Sequence, residues 1–173
     1  MIHIKQQLLK DIALFGALSE DTLMFLLHRA SEIRCPRGDY VFREGDPAQS
    51  IYVLESGRLA VLKRWGGRQY LLGQLEAGAC FGEMALMDMH PRSASVLALA
   101  DSLTFKIGAP ALLELYQHDL EQFALLQMNL GREVSRRLRE ADERMFRWRV
   151  SPQARSELPT FPEFIGNPRD RTD

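Results

Sequence analysis

The 173-residue chain has only two cysteines, four histidines and no long apolar run, and each scarcity excludes a class of protein. Cys35 and Cys80 lie far apart and form no CxxC pair, so the sequence predicts neither a disulfide framework nor a cysteine zinc site. The histidines are scattered along the chain, whereas a metal-dependent enzyme on a β-roll needs clustered ligands. We therefore expect two buried free thiols in a reducing cytoplasm, no metal and no catalytic activity.

An excess of charge of one sign is also lacking. Lys and Arg total 22 and Asp and Glu total 23, so the net charge at pH 7 is −1. This balance offers no electrostatic reason for binding nucleic acid or an anionic membrane. The apolar stretches are far shorter than a membrane span requires, and the first residues do not resemble a secretory signal. The expectation is a cytoplasmic protein that binds neither nucleic acid nor a membrane.

What the sequence does contain is a change of pattern near residue 32. Up to about Arg34 the chain is predicted to be helical, with Ser19 as an N-cap and leucines at helical spacing. From there to residue 107, short runs of β-branched and aromatic residues alternate with glycines, and Gly66-Gly67 stands where a hairpin turn would. Many short strands without long helices between them favour an antiparallel roll or barrel and an α+β fold class.

A long helix is predicted for about residues 119–148. Asp119 and Gln122 have the spacing of a capping box, and the arginines among acids on one side are interpreted as a solvated, ion-paired face. Because a helix of about 45 Å extends past a small roll, part of its apolar stripe needs another partner. A two-fold coiled coil in a homodimer is the simplest solution. The stripe comprises Phe123, Leu126, Leu130, Val134, Leu138, Ala141, Met145 and Trp148.

The domain is predicted to end at residue 148. Residues 149–173 contain four prolines and end in charged residues. Such a composition is typical of a flexible tail rather than a packed element. We therefore expect one domain over residues 1–148, including the long helix, followed by a flexible proline-containing tail.

The segment from residue 81 to 94, FGEMALMDMHPRSA, has the features of an anion site. Gly82 lets the backbone approach a ligand closely, and Met84 lies in a short helix whose first N–H groups are available to an anion. Arg92 is suited to binding a phosphate through two hydrogen bonds. Ser93 and the N–H of Ala94 can donate further ones.

Glu83 is the unexpected residue in this segment, because a carboxylate repels a phosphate. Its presence is explained if the ligand also carries a hydroxyl, since a carboxylate is a strong acceptor for a sugar O–H. The combination therefore suggests a ribose phosphate. The alternative on spacing alone is that Glu83 and Arg92 pair with each other across the loop.

The segment resembles the phosphate-binding cassette of the cyclic-nucleotide-binding family, which includes bacterial catabolite activators, protein kinase A regulatory subunits and nucleotide-gated channels. FGEMAL and PRSASV match it nearly position for position, and the glycine-bounded strands at 40–46 and 52–57 match a second region of the family. The resemblance covers about residues 10–148. It implies an eight-stranded antiparallel β-roll of the double-stranded jelly-roll type, with N-terminal helices and a long C-terminal helix.

The resemblance also implies a role for individual residues. Glu83 would accept the ribose 2′-OH and Gly82 would make a backbone contact, with Met84 next to them. Arg92 would pair with the equatorial phosphate oxygen, helped by the neighbouring serine and alanine amide. The residues that would line the base pocket from the roll are Val61, Leu72 and Leu75.

Two departures from the bacterial activators affect the predicted ligand and output. The helix positions that offer polar groups to adenine fall here on Ala141, which has none, and Asp142, which can accept from adenine or from guanine. Cyclic AMP is favoured over cyclic GMP. The 23 residues after Val150 leave no room for a helix-turn-helix.

We therefore predict a cyclic AMP sensor that signals to a protein partner, with no DNA-binding domain. The alternative is an interaction or dimerisation module of the same fold, with a lost or altered ligand such as cyclic GMP or cyclic di-GMP.

Overall fold

The computed structural model of the protein describes residues 9–150. After a short 3-10 turn at Ala13–Phe15, the chain forms four α-helices and eight β-strands within this range. The helices are α1 (Glu20–Arg29), α2 (Met84–Asp88), α3 (Ala109–His118) and α4 (Leu120–Val150). The strands are β1 (Ser31–Cys35), β2 (Tyr40–Phe42), β3 (Ser50–Ser56), β4 (Arg58–Trp65), β5 (Arg68–Glu76), β6 (Cys80–Phe81), β7 (Ser95–Ala98) and β8 (Ser102–Gly108).

The eight strands form two four-stranded sheets, in the orders β1-β8-β3-β6 and β2-β7-β4-β5. All the pairings are antiparallel, so the predicted α+β fold with an eight-stranded β-roll is confirmed. The predicted helical region, up to about Arg34, and the predicted strand region, from residue 32, overlap, and the structure has the strand β1 there, with only Cys35 buried. A strand with one buried side chain shows little alternation, and pairing with β8 determines its conformation instead.

The hairpin between β4 and β5 has the predicted two-residue turn. Gly66 and Gly67 both have positive φ, at 55° and 78°, and Trp65 pairs with Arg68 across the end of the ladder. Positive φ at both central residues matches the right-handed twist of the strands. The glycines therefore hold the end of this hairpin in one conformation.

The core has two main parts. One lies inside the roll, and the other joins the sheet containing β3 and β8 to the helices. Leu126 and Leu130 of α4 belong to this second part, as do Phe15 of the 3-10 turn and Leu26 of α1. The first half of α4 is thus a core element of the domain.

Helix α4 begins with the predicted N-cap but without the complete capping box. Asp119 Oδ1 accepts a hydrogen bond from the N–H of Gln122 at 3.0 Å. The Gln122 side chain does not return to Asp119: its Oε1 accepts from the backbone N–H of Ser19 at 2.8 Å. The Gln122 side chain therefore ties the start of α4 to the start of α1.

The predicted tail overlaps the end of α4. Arg149 and Val150 are helical, so the helix continues two residues beyond the predicted boundary, and residues 151–173 lie outside the described part of the chain. Within residues 9–150, no helix is both long and apolar enough to cross a bilayer. The same residues contain no group of three or more His, Cys, Asp or Glu side chains arranged to hold a metal ion.

Candidate functional site

The segment 81–94 connects β6 to β7 and contains α2. Gly82 leaves β6 with φ of 79°, and a Cβ at this position would lie 2.6 Å from Nη1 of Arg92. Only glycine permits both the positive φ and this close approach. The Gly82 carbonyl uses the space to accept a hydrogen bond of 2.7 Å from Arg92 Nη1.

Arg92, near the end of this segment, is buried, with only 4% of its surface exposed. Its Nη2 donates to the carbonyl of Ser50 at 2.8 Å and to the hydroxyl of Ser50 at 3.2 Å. The guanidinium carbon lies 4.2 Å from the ring centroid of Phe42. Burial lowers the pKa of the guanidinium, and Tyr52 and Glu83 oppose that shift. Nε has no hydrogen-bond partner among the described residues.

Glu83 is completely buried, and its ion-pair partner comes from α4. Its Oε1 lies 2.7 Å from Nη1 of Arg137. This contact is not aligned as a hydrogen bond, and neither Glu83 oxygen accepts a well-aligned one from residues 9–150. Burial raises the pKa of the Glu83 carboxyl, and the positive charge of Arg137 opposes the rise.

Arg137 joins the cassette to the long helix through several contacts. Its Nη2 donates to the carbonyl of Cys80 at 2.6 Å, and its Nε donates to Glu133 at 3.0 Å. The interpretation of the helix arginines as a solvated face missed this residue. A signal was present, because Arg137 precedes Ala141 by one helical turn and shares the face predicted to meet the ligand.

The alternative pairing of Glu83 with Arg92 is wrong. Glu83 forms its ion pair with Arg137, while both terminal nitrogens of Arg92 donate to backbone carbonyls. The two charges still influence each other, since Arg92 favours the ionised form of Glu83. Each retains an unsatisfied buried group, and a ligand with a hydroxyl donor and an anionic oxygen would match those two groups.

The remaining predicted residues differ in their surroundings. Ala94 is buried, whereas Ser93 and Met84 are exposed. Val61 and Leu75 pack against the core inside the roll.

Three predicted pocket positions lie nearer the surface. Leu72 on β5 has 48% of its surface exposed. On α4, Ala141 is half-buried and Asp142 is exposed. The structure thus brings Gly82, Glu83 and Arg92 together, while Leu72 and Asp142 face solvent.

A cavity of about 430 Å³ lies next to Arg92, between β2, the 46–50 loop and the start of α3. Phe42, Ser50 and Tyr52 line it together with Arg92. The rings of Tyr52 and Phe81 stack with centroids 5.3 Å apart. Arg92 therefore has aromatic side chains beside it and the backbone carbonyls of Gly82 and Ser50 at its terminal nitrogens.

Comparison with known proteins agrees with this geometry. The chain is 32% identical over 139 residues to the "Cyclic AMP receptor protein" of Thermus thermophilus, a match covering 78% of this chain and 61% of that protein. A crystal structure of a cyclic nucleotide-binding domain from Methylobacillus flagellatus superposes with a TM-score of 0.74 at 25% identity, covering 83% of this chain and 82% of that one. The regulatory domain of Toxoplasma gondii PKA, crystallised with cAMP, superposes with a TM-score of 0.62 at 25% identity, covering 65% of this chain and 43% of that one.

The chain is shorter than several curated relatives, spanning 61% of the Thermus thermophilus protein and 22–24% of others. The profile of the cyclic nucleotide-binding domain matches residues 32–119, which contain every strand of the roll except the first residue of β1. Since the matched range also contains the whole cassette, the family resemblance inferred from 81–94 is confirmed. The chain belongs to the cyclic nucleotide-binding domain family.

Proposed function

We propose that this protein is a cyclic nucleotide sensor that acts by binding rather than by catalysis, with cyclic AMP as its preferred ligand. One observation carries the proposal. Within the cassette, a buried carboxylate lacks a well-aligned donor and a buried guanidinium Nε lacks an acceptor. Unpaired buried polar groups cost about 1–3 kcal/mol each, so a ligand that supplies both partners gains affinity from relieving them.

A cyclic ribose phosphate matches these groups chemically. Glu83 accepts a hydrogen bond from the ribose 2′-OH, and Arg92 binds an equatorial phosphate oxygen. Ser93 and the Ala94 amide add donors on the same side. An open nucleotide carries an additional negative charge, which the buried Glu83 carboxylate would repel.

The long helix is the element that reports the bound state. Glu83 contacts the ligand and also forms the ion pair with Arg137 of α4. A hydroxyl that donates to the carboxylate changes the group that Arg137 contacts, so the ligand affinity should differ between α4 held at this contact and α4 moved away from it. Such a difference is what a ligand requires to shift a conformational equilibrium.

The choice of cyclic AMP is supported by two similar proteins, a cyclic AMP receptor protein and a domain crystallised with cAMP. On α4, Asp142 supplies an acceptor for the adenine amino group, while Ala141 supplies none. Guanine also offers donors to a carboxylate, so cyclic GMP is the competing ligand.

We further propose that the protein is a homodimer paired through α4. Met128, Gly131, Ser135 and Leu138 follow one another at steps of three and four, the spacing of a coiled-coil seam. More than half of the Leu138 surface is exposed. A Cβ at Gly131 would meet no atom of the described chain within 4 Å, which allows close approach of a second helix.

Isothermal titration calorimetry with cyclic AMP, cyclic GMP and cyclic di-GMP tests the ligand. We expect saturable binding with cyclic AMP the tightest, and at least about a hundredfold weaker binding after Arg92→Ala, since one charged partner is lost. Arg139→Ala removes an exposed arginine of α4 and is the matched control, with unchanged affinity expected. Absence of binding in a folded dimer would support the interaction module instead.

A further inference from the structure

The free end of the β4–β5 hairpin carries an aromatic side chain that the core does not use. Trp65 has 79% of its surface exposed, although tryptophan is normally among the more buried residues. The Gly66-Gly67 turn and the pairing of Trp65 with Arg68 fix the backbone conformation at Trp65. An ordered, exposed tryptophan is typical of a contact surface.

Cations surround this tryptophan. We call Arg43, Lys63, Arg64, Trp65 and Arg68 the hairpin patch. A cavity of about 460 Å³ runs along it, lined by the first four of these residues and by backbone of the turn. Arg64 and Arg68 are exposed and lie on the two strands that flank the turn.

Glu44 is the acidic residue that lines this cavity, and its carboxylate is already engaged. Oε1 accepts from Lys63 Nζ at 2.6 Å and Oε2 accepts from the backbone N–H of Arg64 at 3.0 Å. The hydrogen bond from Lys63 lowers the pKa of Glu44. With four cations and one carboxylate, the hairpin patch and Glu44 carry three net positive charges in a chain whose total charge is −1.

The hairpin patch is connected to the cassette by direct hydrogen bonds. Lys63 Nζ donates to the carbonyl of Ser93 at 2.7 Å. The backbone N–H of Glu44 donates to the hydroxyl of Ser95 at 2.9 Å, at the start of β7. A ligand that orders Ser93 and Ala94 therefore acts on groups that position Lys63 and Glu44.

We propose that the hairpin patch docks an acidic peptide segment of a partner protein, with Trp65 packing on an apolar residue of that segment. Charge complementarity supports this occupant. A short peptide is influenced only by charges within a Debye length of about 8 Å at physiological ionic strength. A nucleic acid duplex or a bilayer extends further and meets the rest of the chain, whose charges sum to about −4, so these polyanions fit less well.

The proposal that the hairpin patch is a docking surface does not depend on nucleotide binding. The proposal that nucleotide controls this docking rests on the proposed sensor function. Docking and its control by nucleotide are both tested by tryptophan fluorescence in the Trp148→Phe variant, in which Trp65 is the only tryptophan. The probes are an acidic peptide of about ten residues with a central leucine, its lysine counterpart, a thymidine oligonucleotide of similar length, and phosphatidylserine vesicles.

We expect saturable change of Trp65 emission with the acidic peptide alone. Arg64→Glu with Arg68→Glu should weaken binding by at least about tenfold, because like charges then face each other. The matched control, Arg139→Glu with Arg144→Glu on α4, should change the affinity less than about twofold. Folding of every variant is verified by circular dichroism.

Three results would overturn the docking proposal: no response to the acidic peptide, an equal loss in the α4 control, or tighter binding of the oligonucleotide or the vesicles. Saturating cyclic AMP should change the peptide affinity by at least about threefold, within the usual range of allosteric coupling. Lys63→Met should remove that change, and an unchanged affinity would overturn the connection to the cassette. Peptide binding without any nucleotide binding in calorimetry would refute the sensor function while leaving the docking surface.

Discussion

The two halves of α4 have similar amphipathic sequences but different surroundings. In the first half, Leu126 and Leu130 are almost completely buried in the core shared with α1 and α3. In the second half, Leu138 and Met145 of the same stripe each expose more than half of their surface, and Trp148 exposes 46%. One continuous stripe in the sequence is therefore two different surfaces: the first stabilises the domain, and the second is available to a partner.

The polar contacts of the two halves differ in the same way. In the first half, Asn129 is buried and its Nδ2 donates to the carbonyls of Leu14 and Gly16, at 3.1 and 2.8 Å. In the second half, the pair Arg147–Glu143 lies on the surface. Exposed helix pairs contribute about 0.3–0.5 kcal/mol, whereas a buried group that loses its partner costs several times more. Arg137, between the halves, is the point where α4 contacts the cassette.

The largest expected effect is in the buried half. Leu130→Ala should lower the free energy of unfolding by about 2–5 kcal/mol, because it removes buried methyl groups and leaves a cavity. Leu120→Ala is the matched control in the same half of α4, where the side chain is 60% exposed, and should change stability little. Denaturant unfolding measures both. Equal effects would contradict the division of the helix.

Replacing Arg137 should produce a pH-dependent loss. Burial raises the pKa of Glu83 in the folded state, so its ionised form costs stability as the pH rises through that raised pKa, and Arg137 offsets this cost. Arg137→Met should therefore destabilise the protein by about 3 kcal/mol at pH 8 and by less at pH 5, because a lower pH favours the neutral carboxyl, which needs no cationic partner.

Denaturant unfolding at the two pH values measures this dependence. Arg136→Met is the matched control, since Arg136 pairs with Glu133 and Glu140 on the exposed face, and its effect should be small at both pH values. In the double variant Glu83→Gln, Arg137→Met the pH dependence should disappear. A loss that is the same at pH 5 and pH 8 would show that the ion pair with Glu83 is not its cause.

Asn129→Ala should cost about 1–3 kcal/mol, because the carbonyls of Leu14 and Gly16 lose their buried donor. The loss should be local, so amide hydrogen exchange should increase most in the 3-10 turn at Ala13–Phe15. Gln127→Ala on the same turn of α4 is the control. Unchanged exchange at the 3-10 turn would contradict the role of Asn129 in tying it to the helix.

The smallest effect on the isolated domain is expected in the exposed half. Leu138→Ala should change the stability of the monomer by less than about 0.5 kcal/mol but should weaken the proposed homodimer. Sedimentation equilibrium over a range of concentrations measures that change. If Leu138→Ala destabilised the monomer as strongly as Leu130→Ala, the second half would pack on the domain and the comparison would fail.

Much of the fold was predictable because its signals are local. The Gly66-Gly67 turn, the N-cap Asp119 and the apolar stripe each depend on residues a few positions apart. The boundary between the first helical region and β1 was not resolved, because the side chains of β1 are mostly exposed and its pairing with β8 joins distant parts of the chain. The Gln122 side chain was assigned to its own helix for the same reason, since its partner Ser19 is distant in the sequence.

In the candidate site, the sequence identified the residue types but not all of their partners. Gly82, Glu83 and Arg92 were recognised from the cassette, since their spacing is a local property. Arg137 was not, because an arginine among acids on a helix was interpreted as a surface residue, although its position one turn before Ala141 places it on the face predicted to meet the ligand. The exposure of Leu72 was likewise beyond prediction, since it depends on what covers β5.

The sequence by itself therefore determined the class of fold, the position of the cassette and the chemistry of its charged residues. Only the tertiary structure decided which charge meets which: Glu83 pairs with Arg137, Arg92 turns to the carbonyls of Gly82 and Ser50, and α4 divides into a buried and an exposed half. The physical reason is the distance along the sequence between the residues that interact. Turns, caps and periodicity arise from neighbours in the chain, whereas burial and ion pairing depend on surfaces that folding brings together.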